Sequence, residues 1–202
     1  NGNVEIRISV RSLVEFILRS GSIDNRKGAA PDNAMAEGGR IHRMIQRRMG
    51  SDYQAEVVMR YSWSTPAYDL VVEGRADGVI NGDVVTIDEI KGTYRDLEKM
   101  KEPVDVHLAQ AKCYASMYAR EHDRAQMKVR MTYCNMETEE LRYFVNTYQR
   151  AELDEWFEAL LTEYKKWADF TNEWQEQRTA SIRQLAFPFS YREGQKELAT
   201  YV

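Results

Sequence analysis

A mixed α/β (α+β) fold, with a central mixed β-sheet flanked by α-helices, is what this 202-residue sequence predicts. Three observations carry that expectation. Apolar residues recur at helical spacing in four stretches and alternate with a period of two in five others. The order is helices, then a three-stranded meander around an Asn-Gly turn, then a helix, then two strands and a long terminal helix. Strands and helices interleaved in this way bury their apolar faces by layering helices on a sheet.

The first helix is "SVRSLVEFILRSGS", with Leu13, Phe16 and Ile17 on one face, Ser9 as a cap and Gly21 as a stop. "SIDNRKGAAPDNA" reads as a loop from its Gly, Asp, Asn and Pro content. A second helix, "AMAEGGRIHRMIQRRMGS", ends near Gly50. "YQAEVVMRYSW", "YDLVVEGRADGVI" and "DVVTIDEIKG" read as strands, with turns at Ser64 to Pro66 and at Asn81-Gly82. Pro103 precedes a third helix, "VDVHLAQAKCYASMYAREH", and "AQMKVRMTYCNM" with "ELRYFVNTY" reads as a final strand pair. In the closing helix, "RAELDEWFEALLTEYKKWADFTNEWQEQ", Trp156, Leu160, Tyr164, Trp167 and Trp174 fall near one stripe, expected to face the core.

Composition narrows the function classes. Hydrophobic residues are 43% and charged residues 30%, as in soluble globular proteins. No run approaches the roughly 18 to 20 apolar residues of a membrane span, and "NGNVEIRISV" is unlike a signal peptide, so the expected location is the cytoplasm. Cys113 and Cys134 match no metal knuckle or disulfide framework and are expected to be buried thiols. A net charge of −4 advertises no global affinity for nucleic acid, so a DNA site would need a local basic surface or metal ions.

The stretch "VEGRADGVINGDVVTIDEIKG" carries the chemistry. Side chains alternate along its second strand, so Glu89 and Lys91 share a face while Asp88 points the other way. A two-residue turn at Asn81-Gly82 would put Asp77 on the wrong face. A three-residue loop would move it opposite Val85 or Ile87, which predicts an odd-numbered loop or a bulge. Two carboxylates and an amine on one face repel and desolvate unless compensated. A divalent cation compensates them: Asp77 and Glu89 supply hard oxygens, and a main-chain carbonyl such as that of Ile90 can add another. Lys91 would then sit where water attacks phosphorus, the chemistry of metal-assisted phosphodiester hydrolysis. The bland alternative is a surface salt bridge on a solvated strand.

Elsewhere, His42 shares its helix face with Gly38, Ile45, Gln46 and Met49, and Gln110 and Tyr114 are neighbours four apart on the third helix. Taken together, "EGGRIHRMIQ", "EGRADGVI", "IDEIKG" and "HLAQAKCY" resemble the RecB-like branch of the PD-(D/E)XK nuclease superfamily over roughly residues 5 to 165. That branch has a His after a Gly on a helix, a Gly-x-x-Asp strand, a (Asp/Glu)-x-Lys strand and a Gln-x-x-x-Tyr helix. The resemblance implies a restriction-endonuclease-like α-β-β-β-α-β core and a metal-dependent deoxyribonuclease acting on single strands or ends. It implies that His42, Asp77 and Glu89 ligate metal with the Ile90 carbonyl, that Lys91 is the catalytic lysine, and that Gln110 and Tyr114 position the site and the strand. Ala76 stands where the superfamily's name-giving proline would be, a proline this branch commonly lacks.

The expected cofactor is Mg²⁺ or Mn²⁺, with manganese somewhat favoured by an imidazole ligand. Relatives with an iron-sulfur cluster use four cysteines around the core, one near the end of the first helix, where "LRSGSID" stands here; no cluster is expected. Arg40, Arg43 and Arg47 form a helical strip that could meet phosphates or simply face solvent. The tail "FPFSYREGQKELATYV" resembles the opening of an XPD/DinG-type helicase domain, in which Arg192 and Gln195 would read adenine. No Gly-x-x-x-x-Gly-Lys-Ser/Thr loop occurs, so ATP hydrolysis by that route is excluded for this chain. The expected organisation is a nuclease domain over residues 1–180 and the start of a helicase over 181–202, the nuclease module of a helicase-nuclease in DNA repair or processing. The rival reading is a catalytically idle module that binds DNA or a partner.

Overall fold

The computed structural model describes residues 4–19 and 34–184. The elements run β1 (Val4–Ser9), α1 (Val10–Arg19), α2 (Ala34–Arg47), β2 (Tyr53–Ser64), β3 (Tyr68–Ile80), β4 (Thr86–Thr93), α3 (Asp105–Glu121), β5 (Gln126–Asn135), β6 (Leu141–Gln149) and α4 (Arg150–Gln184). A six-stranded mixed sheet flanked by helices is therefore observed, consistent with a restriction-endonuclease-like core. The strand β1 goes beyond the sequence reading, although Val4, Ile6 and Ile8 alternate; Ser9 nevertheless caps α1, its hydroxyl accepting the Ser12 amide at 3.0 Å.

The sheet order is β1-β3-β4-β5-β6, with β2 also paired to β3. Antiparallel β2 covers one edge of β3 from Asp69 to Ile80. The other edge is shared: parallel β1 takes residues 68–73 and antiparallel β4 takes only 78–80. Gly74 to Asp77 are thus left without a strand neighbour on that side, and the sheet forks there. A parallel pair β4–β5 needs a long crossover, which α3 supplies.

Alternation along β4 sets the two layers. On one face Ile90, with Cys134, receives Ile41 and Ile45 of α2. On the other, Lys91 meets Gln110 of α3, and the Val104 amide that leads into α3 donates to the Tyr133 hydroxyl at 3.0 Å. The first half of α4 packs Phe157 edge-on against Tyr61 and buries Leu153, Leu160, Leu161 and Tyr164. Both cysteines are free and buried, as the sequence predicts.

Contacts divide the chain into residues 1–164 and 165–202. In the second unit Lys165 pairs with Asp169 at 2.6 Å and the Arg178 guanidinium lies over the Trp174 ring. Trp167 and Trp174 are exposed, which corrects the reading of the aromatic stripe as core-facing throughout. Helical spacing says which side chains share a face, not how far along a 35-residue helix that face is covered. Gly21, most of the loop that follows it, and Arg192 and Gln195 lie outside the described residues. Among the described residues no helix is long and apolar enough to cross a membrane.

Candidate metal and catalytic site

The fork in the sheet is where the candidate residues meet. Asp77 falls one step beyond the last β3–β4 ladder pair, Gly78–Asp88, and so lies across from Glu89. The connection is an odd-numbered loop, as parity required, but it spans five residues, 81–85. Asp77 therefore does not sit opposite Val85 or Ile87. The three-residue loop failed as a prediction because Val84 and Val85 stay outside the ladder despite their β-branched side chains.

With no strand carbonyl at the fork, the Ile90 amide donates to Asp77 Oδ2 at 2.7 Å, so a side chain completes the main-chain accounting. The other oxygen, Oδ1, is 3.2 Å from His42 Nδ1. Ile41 and Ile45 anchor α2 in the core, and His42, next along the helix, is turned to Asp77. Burial pulls the His42 pKa down, but the hydrogen bond and charge of Asp77 outweigh it and leave the imidazole above its ordinary value.

Glu89 is 1% exposed and pairs with Lys91 Nζ at 2.9 Å. The Lys91 ammonium is also 3.3 Å from Gln110 Oε1, which orients it from α3. Burial first and the Asp77 charge second push the Glu89 carboxyl up to about 8, against the pull of Lys91. Its second oxygen, Oε2, is buried without a hydrogen-bond partner among the described residues. Glu89 lies within electrostatic range of Asp77 and His42, but among the described residues the donor atoms that all lie within 4.8 Å of one another are those of His42, Asp77 and Glu56 of β2, an imidazole with two carboxylates, and such a set fits a hard or borderline divalent cation.

Tyr114, one turn on from Gln110, is buried with its hydroxyl set against Gly74 on the open edge of β3. This explains the glycine of Gly-x-x-Asp: a Cβ on Gly74 would stand 2.6 Å from the Tyr114 hydroxyl oxygen. Gly74→Ala is expected to overpack this contact and displace the buried Tyr114 ring, costing about 1–3 kcal/mol in urea denaturation. An unchanged midpoint and slope would show that the ring is not held there.

Three further positions near the candidate site were not read as site residues from the sequence. Glu56 of β2 joins His42 and Asp77 in a group whose ligand atoms all lie within 4.8 Å of one another. Its signal was hairpin arithmetic, since the turn after Ser64 carries Glu56 across from Asp77. Gln46 donates to both Glu56 Oε1 and the Asp77 carbonyl, each at 2.9 Å. His107 lies near the charges of Lys91, Arg11 and Arg95; burial first, then those charges, lower its pKa to about 4. The arginine strip is only partly available: Arg40 pairs with Glu139 at 3.0 Å, while Arg43 and Arg47 are exposed.

No family model matches the chain, and no curated protein matches it in sequence. Solved structures share its fold. The structure titled SSO0001 aligns with a TM-score of 0.51 at 18% identity, over 77% of this chain and 75% of its own. LHK-Exo, an alkaline exonuclease of Laribacter hongkongensis, solved in complex with dAMP, aligns with a TM-score of 0.53 at 15% identity, over 90% and 95% respectively.

Proposed function

We propose that this chain is a metal-dependent nuclease of the PD-(D/E)XK type that hydrolyses DNA phosphodiester bonds. The observation that carries the reading is the meeting at one fork of His42, Asp77, a buried Glu89 with an orphaned oxygen, and Lys91 held between Glu89 and Gln110. The fold shared with an exonuclease supports it. His42, Asp77, Glu89 and the Ile90 carbonyl form the ligand set for Mg²⁺ or Mn²⁺. When bound there, such an ion would polarise the phosphodiester and acidify the attacking water.

The chain's own groups do the rest. Lys91, fixed from two sides, presents its ammonium to the charge that develops on the phosphoryl oxygens. Gln110 and Tyr114 hold the lysine and the open edge of β3 in place. Burial and the charges of Lys91, Arg11 and Arg95, opposed by Glu15, disfavour a proton on His107. Arg43 and Arg47 offer further phosphate contacts. Action on single strands or ends, in DNA repair or processing and alongside a fused helicase, rests on the sequence resemblances.

The test is digestion of end-labelled linear and circular single-stranded DNA with Mn²⁺ or Mg²⁺. Metal-dependent loss of the linear strand with the circle spared is expected of an enzyme that needs ends. No cleavage of any DNA with either ion would leave only an idle nuclease-like binding module.

A further inference from the structure

Glu56 is the cluster member that neither the motif reading nor the proposed ligand set includes. Among the described residues it is one of three with a positive φ other than glycine, at 60°, and the β2–β3 ladder skips it: Ala55 pairs with Gly78 and Val57 with Ala76. A left-handed glutamate inside a strand is an unfavourable backbone choice that must be held by its surroundings. Here Gln46 donates to both Oε1 and the Asp77 carbonyl, and Arg75 Nε donates to Oε2 at 2.7 Å.

Cation ligands at about 2.0–2.6 Å from an ion stand on the order of 3–5 Å from one another. The mutual separations within 4.8 Å of the donor atoms of His42, Glu56 and Asp77 meet that requirement. A second observation is Glu89, across from Asp77 at the fork and outside that group of donor atoms: it is fully buried within electrostatic reach of Asp77 and His42, and its Oε2 lacks any hydrogen-bond partner among the described residues. Among the described residues the charged partners of these three acids are Lys91 on Glu89, Arg75 on Glu56 and His42 on Asp77, and a cation would add attraction where the acids repel one another.

We infer that Glu56 is a further ligand of the cation site, held by Arg75 in the free protein and released from it when the ion binds. This rests on the metal-dependent reading above. It adds a consequence: once Glu56 turns to the ion, the Arg75 guanidinium is freed at the rim of the site, where a substrate phosphate would approach.

Titration calorimetry of the full chain with Mn²⁺ at pH 8.5, with thermal melts with and without the ion, tests this on wild type, Glu56→Gln, Arg75→Ala and Asp77→Asn. Glu56→Gln is expected to weaken Mn²⁺ binding about 10- to 100-fold. Its metal-free melt should stay near wild type, while the Mn²⁺-induced rise shrinks. Arg75→Ala is expected to tighten binding severalfold by removing the competitor for Glu56. Wild-type affinity in Glu56→Gln, with Asp77→Asn impaired, would overturn the inference and leave the nuclease reading standing. Absence of Mn²⁺ binding by the wild type would overturn both.

Discussion

Lys91→Ala is expected to lower phosphodiester cleavage by on the order of 10²–10³-fold, the loss found when one preorganised donor to a developing oxyanion is removed. Metal binding should survive, with an altered pH dependence. Lys91 is the main group pulling the Glu89 carboxyl down; without it, only the weaker pull of His42 opposes burial and Asp77, and the carboxyl rises above its value of about 8. Between the ordinary 4.5 and that value, folded Glu89 holds a proton the unfolded chain has lost, so metal-free stability falls as pH rises through the window. Losing Lys91 extends this window upward. Because the ion needs the carboxylate, Mn²⁺ affinity in Lys91→Ala should be weaker than wild type at pH 7 and recover above pH 9. Single-turnover cleavage and calorimetry at both pH values measure the two effects separately. Wild-type cleavage rates in the variant would remove the lysine from the mechanism.

Asp88→Ala, one residue before Glu89, is expected to destabilise the protein by about 3–5 kcal/mol, because it strands a paired charge in the interior. Asp88 is fully buried on the face opposite Glu89. Its Oδ1 accepts from the Thr132 hydroxyl at 2.6 Å and Arg130 Nε at 2.9 Å; its Oδ2 accepts from the Tyr53 hydroxyl at 2.9 Å and Arg130 Nη2 at 3.0 Å. Tyr53 reaches it by crossing Gly78, where a Cβ would collide with the phenol. Both carboxylate oxygens are satisfied, unlike those of Glu89. The adjacent acids thus divide the work: one welds β4 to β5 and β2, the other waits unsatisfied at the fork. Urea denaturation with an unchanged slope and a loss of that size would establish the division; a loss under about 1 kcal/mol would deny it.

Much of this was legible in the residues themselves. Periodicity located the four α-helices and five of six strands, missing β1, a strand of only six residues, and the short 3-10 turn at Leu97–Lys99. Alternation placed Asp88 away from Glu89 and Lys91, and the spacing of Gln110 and Tyr114 put both on the side of α3 that serves the fork. Local spacing is reliable here because a helix or strand dictates which neighbours share a face whatever the rest of the chain does.

The sequence by itself determined the order of elements, the identities of the candidate ligands, and the pairing of an acid with Lys91. Only the tertiary structure decided that β1 and β4 part along one edge of β3, so that Asp77 caps the Ile90 amide and meets His42. It alone brought Glu56 to the same place and showed which of two neighbouring buried acids is satisfied. Such facts depend on strand partners and on helices distant in the chain. Burial and hydrogen-bond accounting are properties of the whole packed core, and no window of sequence contains them.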